Sequence, residues 1–368
     1  MSISSKKITY IFNQGRIERI NDEKNFPKEH FYGYFDLLKN NKETSLIEYT
    51  NDENVKSFVY KIIRKLFKFP IYTEKLLTIN NRKILDESNH MIFTNQNTFY
   101  SAFPYFMNKK IKDKKIYVFF MGYKNILNKK TKFSIIQKIF FNSVLSKIDK
   151  AIFLSKFEEN YFKKEFPKFS NKTHYIPFSI DKDFWFQDNA IERNSILILG
   201  NDESRDYELI VNIVNQMKDE KFIIVSNKIL KEDLNNDNFT LHNSDWKTNS
   251  LNDEELKIIF NKCKLSIIPI KPSSLQPSGQ SVALQSFAMK VPVMMSAYKG
   301  LWDKELMLHT KNIFLVEEPT VDYWINSINL LLHERELREK IVINASKLID
   351  ENLNLTNFYE KLEKVINS

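Results

Sequence analysis

Short apolar runs alternate with helical patterns along the chain. Six runs in the first half have the length of buried strands: ITYIFN (8–13), SLIEYT (45–50), MIFTN (91–95), IYVFF (116–120), AIFLS (151–155) and HYIPF (174–178). Six more follow in the second half: SILILG (195–200), KFIIVS (221–226), FTLH (239–242), LSIIPI (265–270), VPVMMS (291–296) and IFLVEE (313–318). Such alternation is typical of α/β architecture with parallel sheets. We therefore predict six strands in each half.

The chain is long enough for two domains. Its 368 residues exceed the usual single-domain range. The polar segment SIDKDFWFQDNAIERN (179–194) separates the two sets of strands and is the candidate linker. We therefore expect domains at 1–180 and 181–368, with the final helices packing back on the first domain.

Charge divides the chain at the same place. Residues 1–180 hold 33 Lys and Arg against 17 Asp and Glu, whereas residues 181–368 hold 22 against 29. The halves thus carry +16 and −7, which suggests two domains with different partners. The basic half is expected to face something anionic.

A basic amphipathic segment in this half suggests that the anionic partner is a membrane surface. In VKSFVYKIIRKLFKF (55–69) a helix would place apolar residues on one side and Lys61, Arg64, Lys65 and Lys68 on another. A helix of this kind can lie in an anionic membrane surface. The alternative is a core helix with a solvated charged face.

The remaining composition bears on compartment and metal chemistry. One cysteine, Cys263, excludes an internal disulfide and fits a reducing compartment. Without an apolar run long enough for a signal peptide or a spanning helix, the chain is expected to be cytoplasmic or peripheral on the inner face of a membrane. The six histidines are scattered singly, so no metal site and no cofactor are expected. Asp181-Lys182-Asp183 is interpreted as a capping or hinge sequence.

The stretch LQPSGQSVALQSFAMKVPVMMS (275–296) contains the clearest chemistry. A loop leads from a strand into a helix, whose first N–H groups lack internal partners and could bind a diphosphate. Gly279, Gln280 and Ser281 would present these amides and a hydroxyl. Gln285 lies one turn further on the same side. The alternative is an ordinary helix with Ser278 as its N-cap.

Glycines support a ligand crevice. Gly15, Gly122, Gly200 and Gly300 each fall at or shortly after the end of a predicted strand. Ligands of open α/β sheets bind outside the carboxyl ends of strands, where the backbone must approach closely. Ordinary turns would also use glycine at these positions.

SGQSVALQSFAMKVPVMMS resembles the C-terminal signature of B-fold glycosyltransferases, particularly the retaining family 4. Aligned on Pro292-Val293, the second family glutamate, which contacts the nucleotide ribose, falls on Gln285. The first, which contacts the donor sugar, falls on Pro277. An amide can still bond a ribose hydroxyl, whereas Pro277 has no polar side chain, so Ser278 or the backbone would have to replace it.

The resemblance covers mainly residues 150–350. SILILGNDESRDYELIVNIV is similar to the family's first nucleotide-domain strand, and Arg205 matches the cation that binds the donor diphosphate. Its planar guanidinium suits phosphate oxygens. Asn201 and Lys228 are further candidates for the donor site. Gly15 and Arg16 lie in the first loop of the other domain, which faces the acceptor in this family.

The resemblance implies two facing Rossmann-like domains with a cleft between them. It also implies transfer of a sugar from a UDP- or GDP-linked donor to a glycan or lipid-linked acceptor, with retention and without a metal. Two alternatives of the same fold stay open, a non-catalytic nucleotide-sugar-binding relative and a nucleotide-sugar 2-epimerase. A nucleic-acid partner is not expected, because the phosphate-binding helix lies in the acidic half.

Overall fold

The computed structural model describes residues 6–22, 25–41, 43–50, 60–62, 64–65, 70–107, 113–122, 134–244 and 251–368. The chain divides into two compact units. The first comprises Met1–Asn25, His30–Pro177 and Phe358–Ser368, and the second comprises Phe26–Glu29 and Phe178–Asn357. Each unit contains a parallel six-stranded sheet with helices connecting its strands.

The first sheet has the strand order β2-β1-β3-β4-β5-β6, and its neighbours all pair in parallel. Its strands are β1 (Ile8–Phe12), β2 (Thr44–Glu48), β3 (His90–Phe93), β4 (Lys115–Phe120), β5 (Lys150–Phe153) and β6 (Thr173–Tyr175). The helices with described bounds in this part of the chain include α1 (Arg16–Asp22), α2 (Tyr34–Asn40), α3 (Thr73–Leu76), α4 (Ile79–Glu87), α5 (Gln96–Phe106), α6 (Ser134–Lys147) and α7 (Lys156–Glu165).

The second sheet has the order β12-β11-β10-β7-β8-β9 and is also parallel. Its strands are β7 (Ser195–Leu199), β8 (Lys221–Val225), β9 (Phe239–His242), β10 (Cys263–Ile268), β11 (Val293–Ser296) and β12 (Phe314–Val316). The helices that follow in sequence are α8 (Tyr207–Gln216), α9 (Asp253–Asn261), α10 (Gln280–Ala288), α11 (Val321–His333), α12 (Arg335–Asn352) and α13 (Leu355–Asn367). Short 3-10 turns lie at Glu29–Phe31, Pro167–Lys172 and Lys231–Asp233.

All twelve predicted strands are present, so the predicted α/β class is confirmed. The strands are continuous apolar runs in the sequence because helices cover both faces of a parallel sheet. All five residues of β1, for example, are buried. In the second unit, Ile196 and Ile224 on neighbouring strands pack in one core with Trp324 of α11.

Strand order determines where each sheet can hold a ligand. In the first unit the chain moves outward from β1 to β2 and then returns to β3 on the other side of β1. In the second it moves from β7 to β9 and then returns to β10 beside β7. Ligands of such sheets bind outside the carboxyl ends of the strands, at the point where the order reverses. The two candidate edges are therefore β1/β3 and β7/β10.

The segment predicted as a linker is packed into the second unit. Phe184 and Trp185 are buried there, and the Trp185 ring lies 5.6 Å from that of Phe260. Because most residues of 179–194 are polar, the sequence did not indicate that Phe184 and Trp185 are buried.

Much of the proposed basic helix 55–69 lies outside the described residues, including Lys68. Of its cations, Lys61 and Lys65 are exposed. Arg64 instead forms an ion pair with Glu74 at 2.6 Å and lies over the Tyr72 ring at 4.6 Å. Arg64 is therefore bound to its own unit and is not available to a membrane surface. Within the described ranges, no helix is long and apolar enough to cross a membrane.

Candidate functional site

Two loops meet at the carboxyl edge of the second sheet, one after β7 and one after β10. The β7 loop contains Gly200 and Arg205, and Arg205 forms an isolated antiparallel bridge with Ile270 of the β10 loop. A second link joins Ser204 Oγ and Gln276 Oε1 at 3.2 Å. This edge is the switch point of the sheet, so the predicted donor residues of both loops come together where a ligand is expected.

Arg205 lies beneath the β7 loop and is almost fully buried. Its Nε donates to Asp202 Oδ2 at 2.9 Å. No other hydrogen bond joins its side chain to a residue in the described part of the chain, so the two terminal nitrogens of the fork are not engaged there. Asp202 was not predicted from the sequence, and its position three residues before Arg205 is the signal that could have indicated it.

Gly200 makes room for this arginine. Its φ of +146° is one that side chains rarely adopt, and a Cβ there would lie 2.9 Å from Arg205 Nε and Nη2. The glycine is thus required by close approach of the guanidinium.

Asn201 and Lys228 have different surroundings. Asn201 Oδ1 accepts from Ser226 Oγ at 3.0 Å and from Asn227 N at 2.7 Å, and its Nδ2 donates to Ser244 O at 2.7 Å. Its amide therefore holds the ends of β7, β8 and β9 together. Lys228 is exposed beside it, and its backbone N–H donates to Ser226 Oγ at 3.1 Å.

Helix α10 begins without a side-chain cap. Its N-cap is Gly279, with φ 78°, which has no side chain to form a cap hydrogen bond. The alternative interpretation with Ser278 as the N-cap is therefore wrong. A Cβ at Gly279 would lie 2.7 Å from both Ile268 Cγ2 and Met295 Cε, so the loop passes tightly over β10 and β11. The prediction that the amides of this first turn bind an anion stays a prediction.

The polar residues around this helix start are buried to different degrees. Ser278 and Gln280 are buried, and Ser281 is half-buried. Ser278 is positioned by its carbonyl, which accepts from Tyr298 OH at 2.9 Å. Gln285 is 6% exposed, and its side-chain amide has no hydrogen-bond partner among the residues that the structure describes. An amide that has no partner in the protein can form a hydrogen bond with a polar ligand beside it.

Helix α10 is buried on more than one side. Ala283, Leu284 and Phe287 are buried, whereas Val282 and Ala288 are half-buried. The helix packs on β10 and β11 and also on α12, so its buried surface is wider than a single stripe.

Gly15 and Arg16 lie at the switch point of the first sheet. Gly15 has φ 94°, and no described atom lies within 4 Å of the position that a Cβ would take. Arg16 begins α1, and its N–H donates to Glu48 Oε2 at 2.7 Å. Glu48 ends β2 and was missed in the sequence because only the sheet order brings it beside Arg16.

The Asp-x-Asp sequence has a capping role. Asp181 Oδ2 accepts from Lys28 N at 3.0 Å, and Oδ1 accepts from Phe184 N at 3.3 Å. Both oxygens are thus engaged by backbone N–H groups.

Two Rossmann-like units with parallel six-stranded sheets constitute the fold of the B-type glycosyltransferases, and this predicted fold is confirmed. The chain is similar over 98% of its length to a sucrose-phosphate synthase from Thermosynechococcus elongatus, with 98% of that chain covered, a TM-score of 0.70 and 13% identity. It is similarly related to HepE of Anabaena in complex with UDP-glucose, with a TM-score of 0.69, 12% identity, and 98% and 99% of the two chains covered.

A third solved structure, a glycosyltransferase from Rickettsia africae, matches with a TM-score of 0.62 and 13% identity, covering 98% of this chain and 97% of the other. No family model matches the sequence. No curated protein matches it either. The relation is therefore one of fold, and the assignment of function rests on the site.

Proposed function

We propose that this protein is a glycosyltransferase that moves a sugar from a nucleotide-diphosphate sugar to a hydroxyl acceptor. The observation that carries the proposal is that the loop holding Arg205 and the loop that leads into α10 meet at one switch point. A guanidinium and the start of a helix are both groups that bind phosphate oxygens. The complex of HepE with UDP-glucose, a protein of the same fold, supports a nucleotide sugar as the donor.

The chemistry requires stabilisation of the leaving diphosphate. Negative charge grows on the diphosphate as the bond to the sugar breaks, and preorganised cations and amides stabilise it without reorganisation. Asp202 holds Nε of Arg205 at 2.9 Å, which orients the fork before the donor arrives. Such a site needs no side-chain nucleophile, and the loss of the acid at Pro277 is compatible with it.

Finer features are proposed on the resemblance to the retaining family 4. These are retention at the anomeric carbon, deprotonation of the acceptor by the departing diphosphate, independence of metal, and a glycan or lipid-linked acceptor such as one used in surface polysaccharide synthesis. A cytoplasmic location, with peripheral attachment to the membrane through the segment 55–69, stays a prediction. Gly15 and Arg16 are proposed to face the acceptor.

A non-catalytic nucleotide-sugar binder is the second candidate, favoured by the absence of a carboxylate at Pro277 and Gln285. Turnover separates the two. A panel of UDP- and GDP-sugars, with and without acceptors, should show donor consumption, and Arg205→Ala should lower it by about 100-fold or more. Arg205→Lys should recover only part, because the planar fork is lost.

Arg335→Ala is the matched control, since Arg335 is exposed on α12 and pairs only with Glu339 at 2.7 Å among the described residues. It should leave turnover unchanged. Nucleotide binding without consumption of any donor would favour the binder. Full activity of Arg205→Ala would remove this residue from the site.

A further inference from the structure

Tyr207, the first residue of α8, places a hydroxyl beside the loop that holds Arg205. Its ring is half-buried and packs against the core of the second unit. Its hydroxyl donates to Asp202 O at 2.9 Å and lies 3.5 Å from Gly200 O. The phenol therefore reaches from the helix to the backbone of the β7 loop.

Asp202 connects this hydroxyl to the guanidinium. Its backbone oxygen accepts from Tyr207 OH and also from Arg205 N, the latter at 3.2 Å. Its carboxylate accepts from Ser204 N at 3.1 Å and from Arg205 Nε at 2.9 Å. One residue thus receives the tyrosine on its main chain and holds the arginine with its side chain. A shift of this backbone would move the carboxylate and the guanidinium together.

Both charged groups of the loop act on the phenol. Burial raises the pKa of Tyr207 to about 12, and the charge of the Asp202 carboxylate adds to the shift. The charge of Arg205 and a hydrogen bond with Ser226 act in the opposite direction. The hydroxyl therefore stays protonated at neutral pH and remains a donor to the loop.

The position of this loop matters because preorganised groups stabilise a diphosphate without having to rearrange when it binds. On its Arg205 side the loop is attached to the β10 loop, where Ser204 O accepts from Lys271 N at 2.9 Å. On the other side, Tyr207 is the one residue from outside the loop that hydrogen-bonds to Asp202 in the described part of the chain. The tyrosine hydroxyl therefore completes the attachment of the loop.

We propose that Tyr207 is a positioning residue for the donor diphosphate, because it holds Asp202 and Asp202 holds the Arg205 guanidinium. The proposal rests on the function proposed above and adds a residue to it. Tyr207 itself does not bind the phosphates in this arrangement. Loss of its hydroxyl weakens the interaction that Arg205 makes, since the members of a hydrogen-bond network depend on one another.

Tyr207→Phe removes the hydroxyl and keeps the ring. Binding is measured by calorimetry with UDP or GDP and, in competition, with the matching nucleoside, which lacks phosphates. The variant should bind the diphosphate about fivefold more weakly, as for the loss of one ordinary hydrogen bond, and the nucleoside like the wild type. Tyr323→Phe makes the same change at an exposed tyrosine of α11 and is the matched control, which should alter neither affinity.

A double-mutant cycle tests whether the effect passes through the arginine. In the Arg205→Ala background, Tyr207→Phe should cause no further loss of diphosphate affinity, because the group that it positions is gone. Asp202→Ala supplies a second background, which lacks the carboxylate between the two residues, and the same result is expected. The Asp202 side chain is 37% exposed, so this background serves if the buried Arg205→Ala variant does not fold.

Three results would overturn the proposal. One is an unchanged affinity of Tyr207→Phe for the diphosphate, and another is an equal loss for the nucleoside, which would show a general effect on the second unit. The third is a loss of full size in the Arg205→Ala or Asp202→Ala background, which would show that Tyr207 acts independently of the arginine. Absence of donor turnover, with the expected binding pattern intact, would contradict only the proposed function. A wild-type protein that binds neither nucleotide would overturn both.

Discussion

Glu29 is a carboxyl group buried in the second unit. Trp185 Nε1 donates to its Oε1 at 2.8 Å, and the indole is itself fully buried. Burial raises the pKa of Glu29 to about 7, and the Asp181 carboxylate adds to the shift, although the bond from Trp185 opposes it. The folded protein therefore binds a proton here at a pH where the unfolded chain has released it.

This shift predicts the sign of a pH effect on stability. Between the ordinary pKa of 4.5 and the raised value of about 7, the folded state holds more protons than the unfolded state. The free energy of unfolding should fall as pH rises through this window, by up to roughly 3 kcal/mol. Glu29→Gln still accepts from Trp185 but does not titrate, so this fall should disappear when urea unfolding is followed from pH 4.5 to 8.

Glu336→Gln on α12 is the control, because that carboxyl group is exposed. It should keep the pH dependence of the wild type. An identical pH profile for Glu29→Gln and the wild type would show that Glu29 does not titrate in this range.

Helix α10 combines an open start with a buried amide on its second turn. The first turn carries no side-chain cap, and Gln285 is buried without a partner in the described part of the chain. A helix start of this kind attracts a phosphate, and the amide can bond a ribose hydroxyl one turn further along. Helix α10 could therefore bind two parts of a nucleotide, the phosphate at its start and the ribose at the Gln285 amide.

Gln285→Ala should weaken binding of free UDP or GDP and of the intact donor alike. The expected loss is about 1 kcal/mol, or roughly fivefold in Kd, as for an ordinary hydrogen bond. Gln285→Glu should be tolerated, since a carboxylate accepts the same bonds near the positive end of the helix. Isothermal titration calorimetry measures both.

Gln216→Ala is a suitable comparison, because Gln216 is exposed in the last turn of α8. It should bind nucleotide like the wild type. If Gln285→Ala also does so, the alignment of α10 with the family's ribose-binding helix loses its functional support.

The two units are not contiguous in sequence. The last residues, Phe358–Ser368, belong to the first unit although the preceding helices belong to the second. Phe358 stacks on Phe119 with ring centroids 6.2 Å apart, and Tyr117 OH donates to Ile366 O at 3.1 Å. Leu362 is fully buried, and its Cδ2 would lie 3.1 Å from a Cβ at Gly33. The first unit therefore needs the end of the chain to complete its core.

Leu362→Ala should destabilise the first unit by about 2–5 kcal/mol, since it removes a buried side chain and leaves a cavity. Hydrogen exchange read by mass spectrometry measures the effect strand by strand. Protection should fall in β1–β6 and change little in β7–β12, because stability is not uniform across a chain of several cooperative units.

Ile343→Ala is the control for this experiment, because Ile343 is 66% exposed on α12. It should leave protection of both sheets unchanged. Loss of protection in β7–β12 alone after Leu362→Ala would contradict the assignment of Phe358–Ser368 to the first unit.

Local sequence patterns predicted the strands correctly for a physical reason. A strand covered on both faces is mostly apolar, so KFIIV and CKLSII are visible as short apolar runs that each contain one lysine. The loop before α10 was equally legible, because Gly279 has a backbone conformation that favours glycine and opens a helix. Helix ends and strand ends depend on a few neighbouring residues, which the sequence displays.

Local sequence patterns did not predict contacts between positions that are far apart in the chain. Glu29 and Trp185 are 156 positions apart, and Arg16 and Glu48 are 32 apart. Neither pair has a local signal, because each depends on how the chain returns to a sheet. The buried aromatic anchors of 179–194 were missed for the same reason, since their partners lie elsewhere in the second unit.

The sequence alone thus determined which segments form strands, where a phosphate could meet a helix start, and which half is basic. These properties follow from the spacing of apolar residues, from the residues that favour turns and from the number of charges. Each of these depends on neighbouring residues or on a simple sum along the chain. The tertiary structure decided the order of the strands, and with it which loops share a switch point and which carboxylates lie beside Arg16 and Arg205. Those results depend on contacts between residues far apart in the chain, and local preference does not specify them.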